Sequence, residues 1–184
     1  ILKKFNKMNC DLLFNAEKGF WPPVDQIPTY GDIDRNTVKN YFDNLPNTYK
    51  KHLNSGISIG YVKCIKKMMN FCTSAYKKTG VWDDQALSQF FMYSENDFIV
   101  KIDTQDEVFC TLALTERDLE IDGLFVKNKI TNQFPSLLHA NGYKNHIKGY
   151  NRLNFLQNEA NILFNIYTVK NNNGVLSLPN ADSK

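Results

Sequence analysis

His139 is the histidine whose position in the chain best suits chemistry. It ends the apolar run of residues 134–138 and is followed by Asn141-Gly142, a turn in which backbone N–H groups can point at an anion. A neutral imidazole at such a place can bind a divalent metal ion, and Lys144 nearby can meet a phosphate. The structural alternative is a capped or partly buried histidine at a strand end, which is the commoner case for one histidine taken alone.

The acidic pair Asp83-Asp84 stands directly before a helical pattern that begins at Ala86. One carboxylate can cap that helix, which stabilises it by about 1 kcal/mol. The other can face a cleft, either as a general base or as a group that holds substrate hydroxyls. Because adjacent residues at a helix start point in different directions, the pair can fill both roles.

Glu17 and Trp21 follow the first apolar run of the chain, residues 10–16. Open α/β sheets bind ligands at strand ends, so Glu17 is a candidate site residue; the alternative is a solvated loop carboxylate. Trp21 precedes two prolines and offers the flat apolar face that suits a sugar ring, or it simply pins its own loop. Asp32-Ile33-Asp34 has the form of a metal-binding motif, but no aliphatic strand precedes it, and we interpret it as a loop.

Residues 53–85 must hold these side chains relative to one another. Ile57, Ile59 and Tyr61 alternate with small residues and predict a strand, whose backbone something can approach closely at Gly56 and Gly60. A helical pattern follows and ends at Gly80. The apolar face predicted for that helix consists of Val62, Ile65, Met68, Met69, Cys72, Ala75 and Tyr76.

The rest of the chain alternates between strand and helix patterns, which favours an α/β fold with a mixed sheet. The sequence predicts a short helix over 2–8, further strands over 98–103, 108–112, 123–126 and 134–139, a helix over 153–167 and a polar tail from Asn171. Residues 24–51, rich in turn formers, are interpreted as a long functional loop. Ile1 reads as the middle of a helix without its cap, so we expect an N-terminal portion to be missing.

Composition excludes several classes of protein. With 184 residues, 42% of them hydrophobic, the chain can build one globular domain. The net charge of +3 comes without an arginine-rich stripe, so we expect no nucleic-acid partner. No apolar run approaches the roughly 20 residues that span a bilayer. The four cysteines lack CxxC spacing, which argues against a zinc ribbon or a thioredoxin-type site.

Several short motifs in one order resemble the glycosyltransferase domain of the procollagen lysyl hydroxylases and the related collagen glycosyltransferases. The resemblance covers residues 1 to about 154. The motifs are Leu2-Lys3-Lys4-Phe5, Phe14-Asn15-Ala16-Glu17 with Trp21-Pro22, Leu53-Asn54-Ser55-Gly56 with Ile59-Gly60-Tyr61, Asp83-Asp84-Gln85, Ile102-Asp103 with Val108-Phe109, and His139-Ala140-Asn141-Gly142.

The resemblance implies an α/β fold of the GT-A type, a UDP-sugar donor and a divalent cation, typically Mn²⁺. It implies that His139 is a metal ligand and that Asn141 and Gly142 contact the nucleotide. It further implies that Glu17, Asn54, Asp83 and Asp84 line the sugar and acceptor side, and that Trp21 guards the donor pocket. The expected activity is transfer of glucose from UDP-glucose to galactosyl-hydroxylysine of collagen-like protein.

The chain departs from the family pattern at several places. The family's DxxD metal motif would precede Ile1, which would put two of the three metal ligands outside this sequence. Lys144 comes one residue early for the family's phosphate contact. The remaining departures are Ala140 for a glycine, Ile57 for a second glycine, and Val81-Trp82 for aspartates.

Two other functions remain open at this point. One is a hydroxylysine galactosyltransferase that uses UDP-galactose, and the other is a catalytically silent module that binds sugar or collagen. We expect residues 1–155 to be the C-terminal portion of the GT-A domain and residues 156–184 to be a helix with a polar tail. The resemblance implies the endoplasmic reticulum, whereas unpaired cysteines and the lack of Asn-x-Ser/Thr sites favour a cytoplasmic location. A homodimer is compatible with this organisation.

Overall fold

The computed structural model describes residues 1–26, 34–46, 48–94, 97–122, 125–139, 141, 169–170 and 176–177. Helices and strands are interspersed over the described residues up to 93, as predicted, whereas the described residues after 93 form strands and one 3₁₀ turn. The helices are α1 (Leu2–Lys7), α2 (Arg35–Asp43), α3 (Val62–Thr79) and α4 (Asp84–Tyr93), with 3₁₀ turns at Val24–Gln26 and Glu116–Asp118. The strands are β1 (Leu12–Glu17), β2 (His52–Gly60), β3 (Val100–Asp103), β4 (Phe109–Thr111), β5 (Leu119–Asp122), β6 (Phe125–Asn128), β7 (Leu137–His139), β8 (Val169–Lys170) and β9 (Leu176–Ser177).

β1 is the middle strand of a three-stranded mixed sheet. It pairs antiparallel with β2 and parallel with β3, and a register shift interrupts its pairing with β2 between Phe14 and Asn15. All six residues of β1 are buried, which explains why apolar and polar residues do not alternate along it. β4 pairs parallel with β7, and β5 and β8 pair antiparallel with β6 and β9. The predicted mixed α/β fold is confirmed.

The main core lies between this sheet and the helices α2, α3 and α4. β1 contributes Leu12, Phe14 and Ala16, and α4 contributes Ala86, Phe90 and Phe91, all of them buried. α4 is buried at most positions because α2, α3 and β2 all contact it. Its N-terminus lies beside the middle of β2, where Asp84 and Gln85 contact Ser55, and this places Asp83 and Asp84.

The rotation of α3 differs from the prediction. The helix ends as expected at Gly80, which adopts a left-handed conformation with φ of 71°. Its buried face, however, contains Cys64, Met68 and Ala75, whereas Val62, Met69 and Tyr76 are exposed. Apolar residues occupy more than half of the helix circumference, so periodicity alone fits either orientation.

Four of the helices and strands were not predicted. α2 lies inside the segment interpreted as a loop, and Asp34 caps it by accepting a hydrogen bond from the backbone N–H of Thr37 at 2.9 Å. Asp34 is thus where the loop ends, while Asp32 and Ile33 lie outside the described residues. β5, β8 and β9 were also missed. The predicted helix over 153–167 lies outside the described residues as well.

No helix in the described part of the chain is long and apolar enough to cross a membrane. All four cysteines are free thiols, two of them buried.

Candidate active site

Glu17, at the end of β1, is the centre of a polar cluster. Its carboxylate accepts hydrogen bonds from the side-chain amides of Gln85 at 2.6 Å and Asn141 at 3.0 Å. The side-chain amide of Asn54 also lies close enough to stabilise the charged carboxylate. Burial raises the pKa of Glu17, and the three amides and the nearby Lys50 ammonium oppose that rise. Side chains from β1, β2, α4 and the segment after β7 therefore meet at one carboxylate.

Backbone contacts fix the orientation of each amide. The side-chain oxygen of Asn54 accepts from the N–H of Gly56 at 3.1 Å, that of Gln85 from Ser55 at 3.3 Å, and that of Asn141 from Ala113 at 2.8 Å. Because each oxygen is engaged by a backbone donor, each –NH₂ group must turn toward the carboxylate. The cluster is consequently an ordered set of donors around one acceptor.

β4 brings the end of β7 to the end of β1. The hydroxyl of Thr111 in β4 donates to the carbonyl oxygen of Ala16 at 2.8 Å, and Thr111 is the register partner of His139 in β7. The backbone N–H of Asn141 donates to the carbonyl oxygen of His139 at 2.8 Å. This local turn directs the Asn141 side chain back toward Glu17.

His139 packs directly on the backbone of β2. A Cβ atom at Gly56 would lie 1.9 Å from Cε1 of the imidazole and 2.5 Å from Nε2, so only glycine leaves room for the ring. This confirms the prediction that something approaches β2 closely. At Gly60 the approaching group is the carbonyl oxygen of Asp11, 2.7 Å from the position of such a Cβ.

The imidazole of His139 is half-buried, and burial lowers its pKa. Its Nδ1 atom is buried without a hydrogen-bond partner. A neutral ring with an unengaged nitrogen is the state that a metal ligand needs. Within the described residues, however, there is no group of three His, Cys, Asp or Glu side chains that could hold a metal ion. His139 thus fits one ligand position, and the described residues do not complete a metal centre.

One residue of the acidic pair caps α4, as predicted. Asp83 caps α4, its Oδ1 atom accepting from the N–H of Ala86 at 2.8 Å. Asp84 is exposed in the first turn of α4 and accepts a hydrogen bond from the hydroxyl of Ser55 at 2.9 Å. Since Ser55 lies between Asn54 and Gly56, Asp84 stands beside the strand that carries the Glu17 and His139 contacts.

Trp21 lies at the rim of this region with 44% of its surface exposed. Its carbonyl oxygen accepts from the side-chain amides of Gln85 and Gln89, each at 2.9 Å. Arg35 of α2 donates to the carbonyl oxygen of Pro22 at 2.7 Å and to the side-chain oxygen of Gln89. Burial lowers the pKa of Arg35 to about 10. The backbone of the tryptophan segment is therefore fixed, while the indole stays accessible.

Sequence reasoning missed Gln85, Gln89 and Arg35 as organising residues. The two glutamines lie one helical turn apart on α4, among positions that are otherwise apolar and buried. A pair of polar residues in such a setting needs hydrogen-bond partners, which is the signal that could have found them. Gly142 and Lys144, two of the predicted site residues, lie outside the described residues.

Behind the Glu17 cluster lies a buried ion pair. The Lys50 ammonium is 2.8 Å from Oδ1 of Asp106, and neither side chain is exposed. Lys50 also donates to the carbonyl oxygen of Thr111 at 3.0 Å, and Asn128 donates to Asp106 at 2.8 Å. Since Thr111 bonds to Ala16, this pair supports the strand end that carries Glu17.

One family model matches residues 1–168, and its description is the PLOD GT domain, the glycosyltransferase domain of PLOD proteins. A comparison with individual curated proteins found no match. The matched range includes every element from α1 to β7 and every residue of the polar cluster. The chain therefore belongs to the PLOD glycosyltransferase domain family.

Proposed function

We propose that this protein transfers glucose from UDP-glucose to galactosyl-hydroxylysine of collagen or a collagen-like protein. Family membership implies a nucleotide-sugar donor and a protein acceptor. The observation that supports the finer proposal is the polar cluster, in which Glu17 meets Asn54, Gln85 and Asn141. A carboxylate surrounded by oriented amides matches the donors and acceptors of sugar hydroxyl groups.

In this proposal the polar cluster orients the donor sugar. Glu17 would accept a hydrogen bond from a sugar hydroxyl, and Asn54 and Asn141 would donate to the sugar or nucleotide. Because backbone contacts already fix the amides, little ordering would remain for the moment of reaction, which lowers the entropic part of the barrier. Trp21 would cover the donor, and Gly142 and Lys144 would contact its nucleotide.

We assign to Asp84 the contact with the hydroxyl group of the acceptor. It is exposed, and its hydrogen bond from Ser55 holds it beside β2. A carboxylate there can accept the hydrogen bond of an incoming hydroxyl group and help to remove its proton. The predicted catalytic role of Asp83 remains a prediction. Because the helix cap uses its Oδ1 atom, a substrate contact by Asp83 would use Oδ2.

His139 would contribute one ligand to a divalent cation, for which Mn²⁺ is the expected ion. When bound, such an ion offsets the negative charge that develops on a departing nucleoside diphosphate. The properties that support this role are the buried, unpartnered Nδ1 atom and the pKa that burial lowers. Gly56 contributes by leaving space for the ring.

The test is an assay of UDP release and sugar transfer with UDP-glucose and with UDP-galactose, in the presence of Mn²⁺. We expect turnover with UDP-glucose and a loss of about 100-fold or more in His139→Ala. His146→Ala is the matched control, because this histidine does not follow an apolar run and is assigned no role. Unchanged turnover in His139→Ala would remove the metal assignment. Preference for UDP-galactose would favour the hydroxylysine galactosyltransferase, and sugar or collagen binding without turnover would favour the silent module.

A further inference from the structure

The outward side of α3 carries a row of large apolar side chains that the fold does not bury. Val62, Met69 and Tyr76 are 68%, 57% and 52% exposed. Each follows the previous one after two helical turns, so the three form a line along the helix. This line lies beside the buried face of Cys64, Met68 and Ala75, which anchors α3 to the core. A helix held in this way presents the row to solvent along its whole length.

The charges of α3 all have one sign. Its five charged residues are lysines, and the sequence of the helix contains no Asp or Glu. At 100° per residue, Lys66 and Lys77 project next to the apolar row, whereas Lys67 projects about 160° away from it. Lys66 and Lys77 are exposed. We name the set Val62, Lys66, Met69, Tyr76 and Lys77 the α3 outer face.

The acidic groups that act on α3 from neighbouring elements lie toward its inward half. Asp11 influences Cys64, which is buried, and Asp84 influences Cys72, which packs against the core. The α3 outer face therefore combines positive charge with exposed apolar surface. Its complement is an anionic surface into which apolar side chains can insert.

We propose that the α3 outer face docks onto an anionic lipid membrane. Aromatic residues stand at both ends of the helix, Tyr61 with 57% and Trp82 with 84% of its surface exposed. Tyrosine and tryptophan favour the membrane–water boundary, where an apolar ring and a polar edge are both satisfied.

Clusters of lysine attract anionic lipid headgroups, and every cation of α3 is a lysine. The exposed aromatic residues at its ends favour lipid over an acidic protein, because they suit the membrane–water boundary. α3 would lie in the plane of the membrane surface, with its core-facing side still packed on the protein. This role is independent of the function proposed above.

The test is co-sedimentation of the full chain with phosphatidylcholine vesicles that contain or lack phosphatidylserine. We expect binding only to the anionic vesicles, weakened by added salt. Each lysine removed should lower the partition coefficient about fivefold, so Lys66→Gln with Lys77→Gln should reduce it about 25-fold. Met69→Ser with Tyr76→Ser should also weaken binding, because the apolar contribution is lost.

The matched control is Arg117→Gln with Lys129→Gln, which removes two exposed positive charges elsewhere on the surface. It should bind nearly as well as the wild type. In Trp21→Phe, Trp82 is the remaining tryptophan, and its emission should shift to the blue on binding. Absence of binding to anionic vesicles would overturn the proposal. An equal loss in the control pair would also overturn it, because binding would then follow net charge alone. Circular dichroism of each variant checks that α3 remains folded.

Discussion

Two neighbouring strands of the central sheet end in buried carboxylates that serve different purposes. β1 ends at Glu17 and β3, its parallel neighbour, ends at Asp103. Both side chains are buried, and burial is the main cause that raises the pKa of each. In the sequence the two look alike, since each is an acidic residue that closes an apolar run.

The two carboxylates differ in their hydrogen-bond donors. Asp103 accepts from the backbone N–H groups of Glu107, Val108 and Phe109 at 2.9, 2.7 and 2.8 Å. Glu17 accepts from side-chain amides that come from three other segments. Backbone donors in one tight loop are part of the fold and are not available to a ligand. Side-chain amides can exchange a partner for a substrate oxygen, so the kind of donor separates a structural carboxylate from a site carboxylate.

The largest expected effect is the loss of stability in Asp103→Ala. Removing the carboxylate leaves three backbone N–H groups of the β3–β4 connection without their acceptor. We expect the free energy of unfolding to fall by about 3–5 kcal/mol, measured by urea denaturation. Asp122→Ala, at an exposed strand end, should change it by less than about 0.5 kcal/mol. A fall below about 1 kcal/mol in Asp103→Ala would contradict a structural role for this residue.

Glu17→Gln, in contrast, should reduce activity much more than stability. The glutamine amide keeps the size of the side chain. Its –NH₂ group, however, places a hydrogen-bond donor opposite the –NH₂ donors of the neighbouring amides. We expect sugar transfer to fall about 100-fold or more, because the orientation of the cluster is lost. The free energy of unfolding should change by less than about 1.5 kcal/mol, since a buried charge is removed together with its hydrogen bonds. If Glu17→Gln lost as much free energy of unfolding as Asp103→Ala, or kept its full sugar-transfer activity, the two carboxylates would not differ in role.

Simple periodicity with clear end signals predicted much of the fold. β1 follows from its apolar run, β2 from apolar alternation, and α3 and α4 from helical spacing, with Gly80 marking the end of α3. α2 was missed because it is polar, with Val38 and Phe42 its only buried apolar residues. The predicted face of α3 was partly wrong, because which side of the helix packs on the core is a tertiary choice that helical period does not encode.

The candidate site was predictable only in part. Residues at strand ends, such as Glu17 and His139, are recognisable because topology brings strand ends together. The bridging role of Gln85 was not predictable, since its partners Trp21, Ser55 and Glu17 are distant in sequence. Which donors surround a carboxylate depends on tertiary packing, and this is also why Glu17 and Asp103 could not be told apart.

Gly56→Ala tests whether His139 belongs to the same functional site as Glu17. A methyl group 1.9 Å from Cε1 would force the imidazole off β2. We expect the free energy of unfolding to fall by about 1–3 kcal/mol, together with a loss of transfer activity. Gly19→Ala is the control, because its Cβ would have no neighbour within 4 Å. Full transfer activity in Gly56→Ala would mean that the position of the His139 ring is unimportant.

The smallest expected effect is a pH dependence of stability that has the same sign for both carboxylates. Burial raises the folded-state pKa of Glu17, so its contribution to stability is fully present below the unfolded-state pKa and is lost as pH rises through the folded-state value. The stability of the wild type relative to Glu17→Gln should therefore decline as pH rises from about 4 to about 8. Urea denaturation of both proteins across this range measures the difference.

Asp103→Asn should give a difference of the same sign, because burial also raises the pKa of Asp103. The sign of the pH dependence at Glu17 decides whether the two carboxylates differ. If the wild type instead gained stability relative to Glu17→Gln as pH rose, its amide donors would outweigh burial, and the folded-state pKa would lie below the unfolded one. Glu17 would then be held as a firmly ionised anchor for three amides, as Asp103 anchors three backbone N–H groups, and the two strand ends would differ only in where their donors come from.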